Sequence, residues 1–430
     1  MKGVLGWLKS NIVIVILGLL IVVPLPVAWF FSSGMNQSLR EGRQQDGQAA
    51  LRNVQGVNVN YEVPAFTQDQ QAISESAPPN AAMTAHYKAE LERRLAQVDT
   101  VKQSAIEYNR RGRGVLVEGL FPEPTGESQL KRNEMGRRAV AADTPESAFA
   151  ALFDELRIRP PVNNDELASL ISVQRERKVG EMSGDQGDNA LTPEQLEQVN
   201  AEMLDLRITR YRTHAMDTVF YGSVDVLPMS LPRTGPSAPP PLEVCFAWQA
   251  DYWLIEDLLR ALADANSRLD PSGVGGSAVG GVVKRLYSIE VDPLPFAGGG
   301  GPSGPSDRND FGDQPGGGGG AANLTGRAPL SSSVYDVRNA TLSLLVSSAK
   351  LPTLIDSLGS SNFITVLDLD LEEVDPWAEL EQGFYVGDDA VVRATLSLEV
   401  LYLREWTTPF MPEGVKEALG ISTGSFDDEG

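Results

Sequence analysis

The segment from Asn11 to Phe31 constrains this chain more than any other, because it contains no charged side chain. A helix over its last 20 or so residues would be about 30 Å long, which matches the hydrocarbon thickness of a bilayer. The rest of the 430-residue chain contains no comparable apolar run. The sequence therefore predicts one transmembrane helix at residues 11–31 that tethers a large water-facing body to the lipid bilayer.

The charges around this run predict its orientation. Lys2 and Lys9 precede it without an acidic residue, whereas the whole chain has a formal net charge of −22. Positively charged flanks stay in the cytoplasm. We therefore expect residues 1–10 to form a cytoplasmic stub, and the body to lie in the periplasm of a bacterial inner membrane. Arg40 and Arg43, just past the span, weaken this asymmetry a little.

A cleaved signal peptide is the alternative interpretation of the same run. Its apolar core would be shorter, and it would end in a small-residue cleavage site. Here Trp29, Phe30 and Phe31 stand at the exit instead, as expected for an aromatic belt at the membrane surface. We therefore favour an uncleaved anchor.

The composition limits which partners the water-facing body can bind and which covalent bonds can stabilise it. An acidic surface disfavours nucleic acid, which requires basic groups against its phosphates. Cys245 is the only cysteine, so the fold does not rely on an internal disulfide. It lies in an alternating segment, residues 243–250, which we interpret as a further strand with Cys245 as a small buried residue.

The region after the span is predicted to be a polar linker, residues 32–79, followed by a helix over residues 80–110. The apolar residues of this helix recur at steps of three or four, which is typical of a short coiled-coil seam. They are Met83, Tyr87, Leu91, Leu95, Val98 and Val101. The first five are candidate partner-binding residues. The alternative, that the stripe packs on its own domain, is equally open.

The middle of the chain is predicted to be a helical, coiled-coil-like periplasmic region, residues 80–227. One helix is expected to begin at the capping signal Asp143-Thr144-Pro145-Glu146, and a longer one at Thr192, with Gln195 as its capping-box partner. Residues 228–241 are rich in proline and are interpreted as a linker between domains.

The C-terminal half shows one order of elements twice. The pattern predicts a helix (251–267) and two strands (282–291, 338–346), then a helix (351–359) and two strands (363–372, 391–403). Residues 297–320 are predicted to form a disordered Gly-rich loop inside the first unit, and residues 375–389 a loop at the same place in the second. Neither unit covers its own apolar faces, so residues 242–408 are expected to form one α+β domain, a circularly permuted relative of the ferredoxin-like fold. Residues 409–430 are expected to be a tail.

Three segments together resemble the PilO family, the inner-membrane alignment proteins of type IV pilus machines, and the M component of type II secretion. They are the apolar run Asn11 to Phe31, the helix Asn80 to Arg110 and, above all, the segment Val337 to Trp406. The resemblance covers roughly half of the chain and rests on order and pattern. Two departures are a chain about twice the usual length and a region, residues 143–241, without a counterpart.

The resemblance implies a scaffold without catalytic residues or cofactors. It also implies pairing with a PilN-like sister subunit, or with a second copy, through the coiled coil and the ferredoxin-like domain. Trp253 lies off the apolar stripe of its helix and is a sixth candidate partner-binding residue, although it could equally plug one end of the sheet.

The sequence offers few candidates for catalytic residues. His86 and His214 are the only histidines, and both are interpreted as surface residues. Asp368, Asp370 and Glu372 occupy every second position of a predicted strand and therefore share one face. We interpret this face as the one exposed to solvent. A cation site that also uses a loop at 388–389 is the alternative. The favoured hypothesis is a non-enzymatic assembly protein. The alternatives are a tethered ligand-binding or sensory domain and an enzyme whose site lies in residues 143–241.

Overall fold

The computed structural model describes residues 2–22, 24–56, 58–66, 70–183, 191–270, 276–294 and 334–421. The predicted Gly-rich loop at 297–320 and the acidic end of the predicted tail lie outside these residues. The chain divides into two compact units, Met1–Gln103 and Ser104–Gly430. The architecture is α+β, with a long apolar N-terminal helix and a mixed sheet.

The first unit is mainly helical. Its elements are α1 (Lys2–Ser10), α2 (Ile12–Val22), α3 (Pro24–Gly56), β1 (Val59–Val63), β2 (Ile73–Ala77) and the larger part of α4 (Ala81–Arg110). The helical stretch Ile12–Asn53 contains the one segment, within the described residues, that is long and apolar enough to cross a membrane. None of that segment is buried inside the protein. Its side chains lack a protein core to cover them, which fits a single-pass membrane anchor.

The prediction of an unstructured linker at residues 32–79 is wrong, because most of these residues are folded. α3 continues the apolar helix to Gly56, and β1 and β2 then form an antiparallel hairpin in which Val59 lies opposite Ala77. Residues 32–56 contain no proline and include five Gln and three Arg, which favour helix without an apolar stripe. Periodicity alone therefore missed this helix.

The second unit contains a six-stranded mixed sheet with strand order β3-β4-β5-β6-β8-β7. The strands are β3 (Ile158–Arg159), β4 (Phe220–Tyr221), β5 (Val283–Val291), β6 (Tyr335–Ser347), β7 (Ile364–Glu373) and β8 (Val391–Leu403). The helices are α5 (Ser128–Arg138), α6 (Ala148–Glu155), α7 (Asn164–Ser183), α8 (Pro193–Asp217), α9 (Leu242–Ser267), α10 (Leu351–Ser361), α11 (Pro376–Glu381), α12 (Arg404–Thr407) and α13 (Glu413–Ala418).

The four long strands, β5 to β8, pair with one another in antiparallel fashion. β6 pairs with β8 along its whole length, so that Ala340 lies opposite Leu398 and Leu342 opposite Leu396. These four side chains are buried in the core. β3 and β4 extend the sheet in parallel to β5. They are too short to show any alternation in the sequence.

Helix α9 supplies much of the core. Leu254, Ile255, Leu258 and Leu262 are fully buried within it. The hydroxyl of Ser357 donates a 2.8 Å hydrogen bond to the carbonyl of Ala261, which ties α10 to α9. The order helix, strand, strand occurs twice, as α9-β5-β6 and α10-β7-β8.

Two predicted boundaries in this unit are wrong. Residues 243–250 belong to α9 rather than to a strand. Their side chains are buried on several sides of the helix, and such a short, fully buried segment has no period that distinguishes helix from strand. The helix predicted from Asp143 begins at Ala148 instead, where the Ser147 hydroxyl accepts a hydrogen bond from the amide of Ala150.

The proline-rich segment 228–241 lies within the second unit and not at a boundary. Leu231 is buried in the core, and Arg233 donates hydrogen bonds to the carbonyls of Ala141 and Leu227. The start of the predicted tail is also part of the core, because Met411 and Val415 are buried there. The capping box of Thr192 and Gln195 at the start of α8 is confirmed.

Candidate partner-binding surface

The predicted seam on α4 is partly covered by its own chain. The ring of Tyr87 stacks on that of Tyr61, with 5.1 Å between the ring centroids. The Tyr87 hydroxyl donates a 3.0 Å hydrogen bond to Glu75 on β2. The Arg94 guanidinium donates to the carbonyl of Pro64 at 2.9 Å. The β1–β2 hairpin therefore packs on this part of α4, as in the alternative interpretation.

The remaining seam residues differ in exposure. Met83, Leu91 and Val98 are half-buried, whereas Leu95 and Val101 are exposed. Only the C-terminal part of the predicted seam is thus open to a partner.

Trp253 is a core residue and not an exposed anchor, which corrects its assignment as a partner-binding candidate. Its indole nitrogen donates a 2.9 Å hydrogen bond to the carbonyl of Gly114. Its ring meets those of Trp406 and Phe410 edge-on, at centroid distances of 5.0 and 6.0 Å. The residue that seemed to lie off the apolar stripe is covered because α9 is buried on nearly all sides.

A buried polar network centres on Asp257. Its carboxylate accepts hydrogen bonds from Arg113 (2.7 Å), Asn362 (2.8 Å) and the Tyr402 hydroxyl (3.1 Å). Burial raises the pKa of Asp257, while the Arg113 guanidinium opposes this shift. Asn109 extends the network, since it donates to the carbonyl of Leu401 and accepts from the Leu403 amide. Each of these groups is satisfied within the chain, so the network stabilises the fold.

Among the described residues, the sheet ends on one side at β7, and none of them forms a strand along its outer edge. Leu369 and Leu371 lie on the same face as the buried side chains of β8, opposite Leu396 and Ala394. Leu371 is nevertheless 48% exposed. Asp368 and Asp370 lie on the other face and are exposed, as predicted. The register shifts by one residue between Val366 and Asp368.

Trp377 follows this edge strand and is 72% exposed. It lies in the first turn of α11, where the Asp375 carboxylate accepts a 2.9 Å hydrogen bond from the Trp377 amide. Pro376 occupies the first turn as well. This N-terminal cap fixes the backbone that carries the indole.

Helix α11 is held to the sheet through Glu379. Its buried carboxylate accepts 2.7 Å hydrogen bonds from Arg285 and from the Tyr287 hydroxyl, both on β5. Arg285 and Arg393 each lie 4.6 Å from the centroid of the Tyr287 ring. Burial, assisted by the bond to Glu379, raises the pKa of Tyr287 to about 12. An exposed tryptophan on a rigid support loses little conformational entropy when it binds, which is typical of an interface hot spot.

The alternative cation site on the acidic strand finds no ligand cluster among the described residues. Nowhere in the described residues do three His, Cys, Asp or Glu side chains lie close enough to hold a metal ion. His214 bonds through Nε2 to the carbonyl of Pro160 at 2.8 Å, and His86 is exposed on α4.

Comparison with known proteins finds no family model that matches the chain, and no significantly similar curated protein or solved structure. The assignment of a surface therefore rests on the geometry alone.

Trp377 was missed by sequence reasoning because residues 375–389 were interpreted as a loop. The signal was present in Asp375-Pro376-Trp377, in which an Asp cap and a first-turn proline begin a helix.

Proposed function

We propose that this chain is a non-enzymatic scaffold subunit of a bacterial inner membrane, anchored by one helix with its body in the periplasm. The surface around Trp377 on α11 is where it binds a partner. The main support for this surface is that Trp377 is highly exposed although its helix is fixed by the Asp375 cap and by the buried Glu379. Isolated exposed apolar residues are common, but an indole whose backbone is rigidly supported favours protein binding.

The proposed machine is of the type IV pilus or type II secretion kind, and the partner is a PilN-like sister subunit. The apolar N-terminal helix and the repeated helix-strand-strand order support a PilO-like protein with a duplicated, ferredoxin-like body. Two features lie outside that pattern, namely the short parallel strands β3 and β4 and the helical pair α7 and α8. We therefore propose a diverged branch of that family.

The proposal is tested with a photo-crosslinking amino acid at position 377 of the full chain, in cells. We expect ultraviolet light to produce an adduct with another envelope protein at this position. Position 229 is the matched control, because Met229 is 84% exposed but lies on the proline-rich segment. Equal adducts at both positions, or none at position 377, would contradict the proposed surface.

The partner in the adduct is then identified by mass spectrometry. A single-pass membrane protein with a helix-strand-strand body would support the pilus or secretion assignment. An adduct with a protein of another kind would contradict that assignment, but it would remain consistent with a scaffold function.

A further inference from the structure

Helix α8 reverses the sign of its charge half-way along. Its charged residues are all acidic from Glu194 to Asp205 and all basic from Arg207 to Arg212, and the helix ends on the acidic Asp217. The acidic residues are Glu194, Glu197, Glu202 and Asp205, and the basic ones are Arg207, Arg210 and Arg212. A helix with this arrangement is electrostatically complementary to a second copy of itself that runs in the opposite direction.

One face of α8 is occupied by the chain itself. Val199 is buried, and Glu202 pairs with Lys178 of α7 at 2.8 Å. This pairing and the 2.7 Å bond from Tyr211 to Asn164 show that α7 and α8 run antiparallel to each other.

Another face of α8 is open. It carries five exposed residues at steps of four, three, four and four, which is the spacing of a coiled-coil seam. These are Glu197, Ala201, Leu204, Ile208 and Arg212. Leu204 and Ile208, at the middle, are 58% and 40% exposed. Glu197 and Arg212, at the ends, have no ion-pair partner within the described part of the chain. The stripe thus has an acidic end, an apolar middle and a basic end.

We propose that two copies of this chain associate through α8, packed antiparallel around a two-fold axis close to Leu204. Glu197 then lies near Arg212 of the partner subunit, and the apolar middles cover each other. A two-fold interface of this kind uses the same patch on both copies, which explains why one stripe carries both charges. Parallel packing would instead oppose like charges at both ends. This interface does not rest on the proposed scaffold function, since Trp377 and β7 take no part in it.

Cysteine cross-linking in membranes that contain the full chain tests the arrangement. Cys245 is fully buried and burial raises the pKa of its thiol to about 12, so the native chain gives little background. We expect Leu204→Cys to form a disulfide-linked dimer on mild oxidation, because this position lies close to the axis. Glu197→Cys should not link to itself, because in the antiparallel pair its two copies lie roughly 20 Å apart along the helices.

Two matched arms complete the test. Membranes that contain both Glu197→Cys and Arg212→Cys chains should yield a mixed dimer. In detergent, Arg212→Glu should weaken self-association at least tenfold, and the double change Glu197→Arg with Arg212→Glu should restore it. The proposal is overturned if Leu204→Cys stays monomeric, or if Glu197→Cys links to itself as efficiently as Leu204→Cys. Neither result would affect adducts at position 377, so the two proposals fail separately.

Discussion

The Asp257 carboxylate accepts a 2.7 Å hydrogen bond from the Arg113 guanidinium, and both side chains are buried. Replacing Asp257 by Asn would leave the guanidinium buried without its counter-charge. We expect Asp257→Asn to lower the free energy of unfolding by about 3–5 kcal/mol. Urea denaturation of the full chain, followed by tryptophan fluorescence, measures this loss.

The matched control is Asp217→Asn. Asp217 pairs with Arg159 at 2.5 Å, but both side chains are exposed to solvent. This change should cost less than about 1 kcal/mol. Similar losses for the two variants would show that Arg113 does not depend on Asp257.

Trp253, which the sequence suggested as a partner-binding residue, is buried, whereas Trp377 is exposed. Trp253→Ala removes a buried ring and should destabilise the second unit by about 3–5 kcal/mol. Trp377→Ala removes an exposed ring, and its stability should stay within about 0.5 kcal/mol of the native protein. If the proposed function is right, only the second change abolishes partner capture without loss of stability. A large loss of stability in Trp377→Ala would place this indole in the core instead.

Gly281 and Gly359 should respond to alanine in opposite ways. A Cβ at Gly281 would lie 2.2 Å from Cγ of Asn266. The Asn266 amide donates to the carbonyls of Val219 and Val283, at 2.7 and 2.8 Å, and cannot move without breaking these bonds. We expect Gly281→Ala to lower the thermal unfolding temperature.

Gly359 lies in α10, where a Cβ would meet nothing within 4 Å. Gly359→Ala should raise the stability by up to about 1 kcal/mol, because alanine loses less backbone entropy than glycine on forming a helix. A rise in stability for both variants would mean that the Asn266 side chain can relocate.

Stability should fall in alkaline solution, in part because of Tyr221. Burial raises the pKa of Tyr221 to about 12. The unfolded residue titrates near pH 10, so it loses its proton first and pulls the equilibrium toward unfolding between about pH 10 and 12. From pH 8 to pH 11 the native chain should lose about 1.4 kcal/mol more than Tyr221→Phe. Urea midpoints at both pH values measure the difference, and parallel pH profiles for the two proteins would refute it.

The proposed topology is tested by thiol labelling. Met229→Cys, at a highly exposed position of the second unit, should react with a membrane-impermeant maleimide in spheroplasts. Ser10→Cys, in the predicted cytoplasmic stub, should react only after the membrane is broken. Labelling in the reverse order would place the body in the cytoplasm.

Local signals in the sequence predicted the antiparallel part of the sheet well. β8 was predicted with the bounds that it has, Val391–Leu403, because one strand face is buried and the alternation is unbroken. The capping box at Thr192 was equally clear, because it depends on two residues three apart.

The parts that the sequence did not reveal depend on contacts between distant segments. Two-residue strands such as β3 exist only because β4 lies beside them. Trp253 was ambiguous because its neighbours in space, Gly114 and Trp406, are more than a hundred positions away in the chain. The exposure of Trp377 likewise follows from the way Glu379 holds its helix, which no local pattern encodes.

The acidic residues of β7 also limit how this protein associates. Asp368, Asp370, Glu372 and Glu373 line the open side of the sheet, and the Asp368 carboxylate accepts a hydrogen bond from the amide of Leu369. If two copies met edge to edge, these carboxylates would repel each other. The protein should therefore resist stacking into fibrils even when it is crowded at high density in the plane of a membrane.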